Sequence, residues 1–320
     1  MQVLRSLQEA LKNVSKSCVT IGNFDGVHMG HQKLLCRTRQ KAALSGLSSV
    51  AVTFEPHPLR VLVGAHTPPF ITLPHQKLEA IATLGMDFTF CVEFTKELAK
   101  LEPEEFVCTY LVQGLGMRNM VIGYDYAFGR NRKGDYVMLC ELGERYGFDV
   151  EQIGPVLIDD AVVSSSRIRD MVQSGLVWEV RPLLGRFYRV QGKVVTGRNR
   201  GGKLLGFPTA NLRLLDELFP KTGAYAVWAE YLGRTYPAVA NIGYNPTFGN
   251  DVLSVEAHIL DFEENIYDKE VCIHFVQRLR SEQKFENLEA LISRIQEDIL
   301  LARRILGSPE AHLVEARHCV

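Results

Sequence analysis

The chain has 320 residues, with 36 Lys plus Arg against 37 Asp plus Glu for a formal charge of −1, and 46% apolar and 23% charged residues. This balance excludes a generally basic binder of nucleic acid or membrane surfaces, and the composition excludes disorder over most of the chain. No apolar run approaches the ~18 residues that a membrane helix needs, and at roughly 150 residues per domain the length predicts two domains.

Met1–Val14 is weakly amphipathic, carries Arg5, Glu9 and Lys12, and lacks an apolar core of signal-peptide type. It reads as mature protein. Strand and helix patterns then alternate. Ser17–Ile21 reads as a strand, His31–Ala43 as a helix, Ser49–Phe54 as a strand, Leu73–Leu84 as a helix and Phe88–Val92 as a strand. Glu102–Gln113 is a helix opened by Pro103, Asn119–Ile122 a strand, Lys133–Tyr146 a helix and Phe148–Gln152 a closing strand. This repetition predicts a doubly wound, mostly parallel α/β sheet with right-handed crossovers.

Beyond a helical Ser166–Ser174 stretch and a boundary near Arg181–Leu184, the texture changes. Tyr188–Thr196, Ala224–Tyr231, Arg234–Ile242, Ser254–Leu260 and Lys269–Val276 are β-branched or aromatic runs punctuated by Gly, Pro, Asn and Asp. Short strands without intervening helices predict a small antiparallel β-barrel, so the domains are 1–182 and 183–320. A terminal helix, about Leu288 to Ile305, places Leu288, Leu291, Ile292, Ile295, Ile299 and Leu300 on one stripe for packing against the barrel. The seven cysteines (18, 36, 91, 108, 140, 272, 319) are scattered, odd in number and form no CxxC pair. They suit free thiols in a reducing cytoplasm, and neither a disulfide framework nor a zinc site.

The strongest local signal is Ile21-Gly22-Asn23-Phe24-Asp25-Gly26-Val27-His28-Met29-Gly30-His31, a strand passing through a glycine-punctuated turn into a helix. His28 and His31, spaced i, i+3, share one helix face beside free backbone N–H groups and the positive end of the helix dipole. Glycines let a polyphosphate approach the backbone, and the imidazoles can donate to its oxygens. A metal pair lacks a third ligand nearby, and plain capping or core histidines are the other reading. In the second half, Gly197-Arg198-Asn199-Arg200-Gly201-Gly202-Lys203 satisfies GxxxxGK. Leu204 stands where a Walker loop needs Ser or Thr, and Pro208 opposes a helix there, so this is not a P-loop. Pro208-Thr209-Ala210-Asn211 alone is good turn chemistry. Glu256 lies in a β run between apolar neighbours, either as a carboxylate facing water at the barrel mouth or as a base. Ser164-Ser165-Ser166 read as an N-cap cluster on a helix carrying Arg167 and Arg169.

The HxGH string resembles the nucleotidyltransferase superfamily that adenylylates or cytidylylates a phosphate-bearing acceptor. Thr53-Phe54-Glu55-Pro56-His57-Pro58, Gly123-Tyr124-Asp125-Tyr126-Ala127-Phe128-Gly129 and Val163-Ser164-Ser165-Ser166-Arg167-Ile168-Arg169 narrow it to the FMN adenylyltransferase module of bacterial bifunctional riboflavin kinase/FAD synthetases. The stretch from Gly192 to Leu212, with Gly206-Phe207-Pro208-Thr209-Ala210-Asn211, resembles the flavokinase module. So do Asn241–Gly249, Val255–Asp261 and Arg278-Leu279-Arg280, although an ordinary solvated basic turn reads those arginines equally well. Two departures are mild: Ser166 stands for a usual Thr, and Lys203 for a common Arg, keeping the charge without the planar fork.

The resemblance implies FMN formation from riboflavin and ATP in the barrel, and FMN adenylylation to FAD with release of pyrophosphate in the first domain. It implies ATP and phosphate contacts at Gly22, Asn23, Phe24, Asp25, Gly26, Ser164, Ser165, Ser166, Arg167, Arg169, Gly197, Lys203, Gly206, Pro208, Thr209 and Asn211. Flavin contacts fall at Asp125, Phe128, Asn241, Gly243 and Arg280, Mg2+ at Thr209 and Asn211, and catalysis at His28, His31 and Glu256. Partners would be small molecules, with no nucleic acid or membrane, and no oligomeric state is implied. An attacking phosphate is already anionic, so the first site needs positioning and charge stabilisation. A neutral hydroxyl acceptor gives the second site a use for a base. The rivals are an adenylyl- or cytidylyltransferase for another acceptor with the barrel as accessory, and a non-catalytic flavin-binding protein.

Overall fold

A computed structural model describes the chain except for residues 65–66, 131–132, 196–206, 215–217, 245–252 and 314–320. Contacts gather the described chain into two compact units, Met1–Pro68 with Thr72–Ser164, and Pro69–Ile71 with the chain from Ser165.

The first unit runs β1 (Gln2–Leu4), α1 (Leu7–Asn13), β2 (Ser17–Ile21), α2 (Met29–Ser45), β3 (Ser48–Glu55), α3 (Pro58–Val63), α4 (Pro74–Thr83) and β4 (Phe88–Glu93). It continues through α5 (Pro103–Phe106), β5 (Met117–Gly123), α6 (Tyr136–Tyr146), β6 (Asp149–Ile153) and a two-stranded ribbon of β7 (Leu157–Ile158) and β8 (Ala161–Val162). The six main strands form one parallel sheet in the order β1-β4-β3-β2-β5-β6. Every residue of β2 is buried, as a strand covered on both faces requires. Val19, Ile21, Val50, Val52, Phe90, Met120 and Ile122 fill one face, with Cys18 and Val121 on the other.

The expected doubly wound sheet is present. The sequence pattern missed β1 and α1, because three residues carry no readable period and seven barely two turns. The expected helix over Glu102–Gln113 is α5 followed by a π-helical run, Val107–Gln113.

The second unit opens with α7 (Ser165–Gln173) and α8 (Val177–Leu184). A closed antiparallel barrel follows: β9 (Tyr188–Val195), β10 (Ala210–Arg213), β11 (Gly223–Tyr231), β12 (Arg234–Tyr244), β13 (Leu253–Ile259) and β14 (Glu270–Arg280), in spatial order β10-β13-β12-β11-β14-β9. The unit boundary falls after Ser164, ahead of residue 182, because α7 packs on α8, and α8 on β9 and β14. Strand β10 went unread because the turn chemistry of Pro208-Thr209-Ala210-Asn211 masks four strand residues.

The terminal helix α9 (Leu288–Leu306) is capped by Asn287, whose side chain accepts from the Ala290 N–H. It lies against β11, β12 and β14. The expected stripe is partly wrong. Leu288 and Leu300 are exposed, and the buried line is Asp298, Ala302 and Leu306. Leu300 leaves the barrel face because that face follows Asp298 and Ala302, and position 300 projects roughly opposite the midpoint of those two at 100° per residue.

Gly223 has φ 139°, and a Cβ there would stand 2.2 Å from the Arg280 carbonyl oxygen, where β11 meets the end of β14. Gly223→Ala is therefore expected to cost about 1–3 kcal/mol, read as a lower denaturant midpoint.

Candidate active sites

The strand order of the first unit reverses beside β2, between β2 and β5, and open α/β sheets bind ligands at the carboxyl ends of strands at such a point. Gly22 and Gly123-Tyr124-Asp125 leave the carboxyl ends of these two neighbours. The turn after β2 is held in unusual backbone: Phe24, Gly26 and Val27 have φ of 51°, 83° and 39°. Its anchors are buried. Asp25 Oδ1 accepts from the Thr72 N–H at 3.1 Å, and the Gly26 N–H donates to Thr72 Oγ1 at 3.0 Å. Thr53 Oγ1 donates to the Asn23 carbonyl at 3.3 Å. Phe24 is buried in a small cluster with Val27, Leu35 and Ile81, while Asn23 is exposed. Asp25 is thus a buried anchor, tied to Thr72.

His28 is the N-cap of α2, and its Nδ1 accepts from the His31 N–H at 3.4 Å. That bond leaves Nε2 as the protonated nitrogen of a neutral ring, a donor outside the cap. The two imidazoles stack, with centroids 3.6 Å apart and planes at 19°, and Phe24 meets His31 edge-on. A Cβ at Gly30 would come within 3.1 Å of the His28 ring, so glycine leaves room for the stack. Burial, then the neighbouring His28 and Lys77, push the His31 pKa well below its usual 6.5. His31 therefore stands neutral at pH 7, with Nδ1 buried and without a hydrogen-bond partner among the described residues. The arrangement offers backbone N–H groups, two imidazoles and no charged base.

Around this turn, the expected residues fall in different places. Ser164 closes the first unit, and the Val163 carbonyl lies 3.7 Å from the position of a Gly30 Cβ, beside the start of α2. Ser165, Ser166, Arg167 and Arg169 begin α7 in the second unit. Arg169 Nε donates to the Pro69 carbonyl at 2.9 Å, so that guanidinium tethers the 69–71 segment. Asp125 is exposed after β5, whereas Phe128 is buried in the main core and stacked on Tyr126 at 5.4 Å.

In the barrel, register brings the polar residues together. Asn211 of β10 and Asn241 of β12 both pair with Glu256 of β13, so the three form one row across adjacent strands. Directly opposed residues share a face, and the flanking rows Leu212–Val255–Ile242 and Ala210–Ala257–Ala240 point the other way. Glu256 and Asn241 of that row, with Thr209, His258 and Arg280, line a cleft of about 400 Å³ against α9. Phe207, Phe285, Leu291, Ile295 and Ile299 form its apolar wall, and Glu282, Gln283 and Asp298 add polar groups, a mixed lining of the kind that holds a flat heterocycle with a polar tail.

Burial raises the Glu256 pKa above its usual 4.5, the direction that makes a carboxylate a better proton acceptor. Arg280 is already engaged. Its Nε donates to Asp298 Oδ2 at 2.8 Å, tying the end of β14 to α9 with both side chains largely buried. Gly243 is buried on β12, and a Cβ there would lie 3.1 Å from Glu282 Oε1. Pro208 presents its carbonyl to His258 Nδ1 at 2.8 Å. Gly197, Lys203 and Gly206 lie outside the described residues.

Thr209, Asn211 and Glu256 supply hard oxygen donors of the type Mg2+ prefers, so the donor set fits that ion. Sequence reasoning missed Thr72, His258, Asp298 and Lys77. Lys77 was findable, since it leads the i, i+4, i+7 line Lys77–Ile81–Leu84 on the buried face of α4. The others needed the tertiary fold.

Comparison with known proteins matches residues 10–167 to a family model described as FAD synthetase and residues 184–306 to one described as riboflavin kinase. The chain is similar to a bifunctional riboflavin kinase/FMN adenylyltransferase of Pseudomonas fluorescens, at 39% identity over 98% of this chain and all of that one. A protein of the same description from Escherichia coli K12 is 33% identical over 96% of this chain and 98% of its own length. A crystal structure described as a macrolide-efflux protein from Streptococcus pneumoniae superposes with TM-score 0.84 at 30% identity, covering 95% of this chain and 99% of that one. Its description differs from the curated relatives, and no helix among the described residues here is long and apolar enough to cross a membrane.

Proposed function

The chain belongs to the family of bifunctional riboflavin kinases/FMN adenylyltransferases, and from that premise we propose how its residues divide the two reactions. It phosphorylates riboflavin to FMN and adenylylates FMN to FAD, using ATP in both steps. Residues 1–182 carry the adenylyl transfer and residues 183–320 the kinase, a division supported by the two family matches. The observation that carries the reading is that each half assembles its own polar set: the stacked His28–His31 pair at a helix start, and the Asn211–Glu256–Asn241 row, of which Glu256 and Asn241 line a half-apolar cleft.

In the first reaction an FMN phosphate oxygen attacks the α-phosphorus of ATP, and the bond to the bridging oxygen breaks to release pyrophosphate. The nucleophile is already ionised, so the protein's work is alignment and stabilisation of charge growing on the α-phosphate and the leaving group. The turn from Asn23 to Asp25 and the imidazoles of His28 and His31 hold the phosphates, while Gly22 and Gly26 shape that turn, their N–H groups bonded to the Val52 carbonyl and to Thr72 Oγ1. Asp25 serves by keeping the turn in shape. Ser164, Ser165, Ser166 and Arg167 are the further ATP contacts that the family resemblance implies, and Asp125 contacts the flavin.

In the kinase, Glu256 takes the proton of the flavin hydroxyl as it attacks the γ-phosphorus, and ADP leaves. Thr209 and Asn211 would hold Mg2+ and contact the phosphates of ATP. Bound there, the ion neutralises phosphate charge. The flavin ring lies against the α9 wall, with Asn241 and Gly243 at its edge and Arg280 keeping α9 in place. Pro208 lies next to Thr209 at the ATP site, and Gly197, Lys203 and Gly206 are ATP contacts by the family resemblance alone. The enzyme works in the cytoplasm, a placement supported by free thiols at Cys18, Cys91, Cys108, Cys140 and Cys272. Cys36 is not among them, so the expectation of free thiols throughout holds at those five.

Asn211→Ala is expected to lower riboflavin phosphorylation about tenfold or more and to raise the Mg2+ concentration for half-maximal rate. FMN adenylylation should be unaffected. Mg2+ titrations of the two activities check this, and an unchanged Mg2+ requirement would remove Asn211 as a ligand.

A further inference from the structure

Lys77 of α4 is only 6% exposed, in the middle of the first unit. Its ammonium donates to Thr53 Oγ1 at 3.1 Å and to the Phe54 carbonyl at 3.3 Å, both neutral acceptors. Among the described residues no carboxylate forms an ion pair with it. Glu55 and Asp25 act on it only from a distance, as does the Cys91 thiol, and Asp25 is tied to Thr72. A buried ammonium without a close counter-ion is costly, and costs of this order are concentrated where function uses them. The location identifies the ligand's charge. Thr53, which accepts from Lys77, donates to the Asn23 carbonyl in the turn after β2. The ammonium is also close enough to His31 to depress that imidazole's pKa.

We propose that Lys77 is the fixed counter-charge of the adenylyltransferase site, attracting the β- and γ-phosphates of ATP that depart as pyrophosphate. This rests on the placement of ATP at the His28–His31 turn. Lys77 sits behind the turn and acts through its field, strengthened by low local polarity, while Thr53 fixes its position. A second consequence separates it from a structural lysine. Removing an uncompensated buried charge relieves its desolvation cost, so loss of function should come without loss of stability.

The reverse reaction, in which FAD and pyrophosphate give FMN and ATP, reads pyrophosphate affinity directly. Lys77→Gln keeps donors for Thr53 and Phe54 but no charge. It should raise the pyrophosphate KM about tenfold or more, leave riboflavin phosphorylation within about two-fold, and hold or raise the thermal midpoint. Thr53→Val, which cuts the contact and spares the charge, should raise the pyrophosphate KM by no more than about threefold. A wild-type pyrophosphate KM in Lys77→Gln would overturn the proposal, as would a lowered midpoint or an equal effect of Thr53→Val. His28→Ala with His31→Ala is assayed alongside. If it too leaves the pyrophosphate KM unchanged, the placement of the phosphates fails. If only Lys77→Gln does, the fault lies with Lys77.

Discussion

The double variant His28→Ala with His31→Ala should make FMN from riboflavin at near wild-type rate and then stop, with FAD formation reduced by about 10³-fold or more. Removing one preorganised donor from a developing anion typically costs 10²–10³-fold, and the stacked pair supplies two. No general base can cover the loss, because the attacking phosphate never needed one. The variant should also fold, since the α2 N-cap is one contact at one helix end and costs about 1 kcal/mol. Initial rates with riboflavin and with FMN as separate substrates check this. Equal loss of both activities in a folded protein would mean that the histidines serve a shared site or the fold.

Glu256→Gln carries the second large effect, a kinase slowed by about 10²-fold or more with FMN adenylylation intact. The amide keeps the shape and cannot take a proton. The sign of the pH dependence follows from burial. The carboxylate is the active form, and its pKa is raised above 4.5. Riboflavin kinase kcat/KM should therefore fall as pH drops through that raised value, on an acid limb above that of an ordinary glutamate. In Glu256→Gln the limb should vanish. A profile with the same limb in both proteins, or a variant within a few-fold of wild type, would remove Glu256 as the base.

Much of this architecture was legible in the residues, for identifiable reasons. Strand β2 could be read to its ends because a central parallel strand is buried on both faces and shows as an unbroken run. The HxGH turn was legible because glycines, imidazoles and a helix start have to coincide in sequence to make a phosphate cradle. Glu256 was conspicuous as a charge in a β run. The row it forms with Asn211 and Asn241 was not, since barrel register sets which residues face each other across three strands. The exposure of Leu300 likewise depends on which face of α9 meets the barrel. Thr72 joins Asp25 across 47 positions, a pairing that no local pattern carries.

The central claim is that one chain holds two separable catalytic sites that act in sequence on a flavin. Mixing the two inactive variants tests it most directly, with riboflavin, ATP and Mg2+ supplied and products resolved over time. Alone, the His28→Ala with His31→Ala protein should accumulate FMN, and Glu256→Gln should leave riboflavin largely unchanged. Together they should produce FAD, the first making FMN and the second adenylylating it. A mixture that yields FMN and no FAD, while Glu256→Gln also fails to convert added FMN, would contradict the division of the two chemistries between these residues.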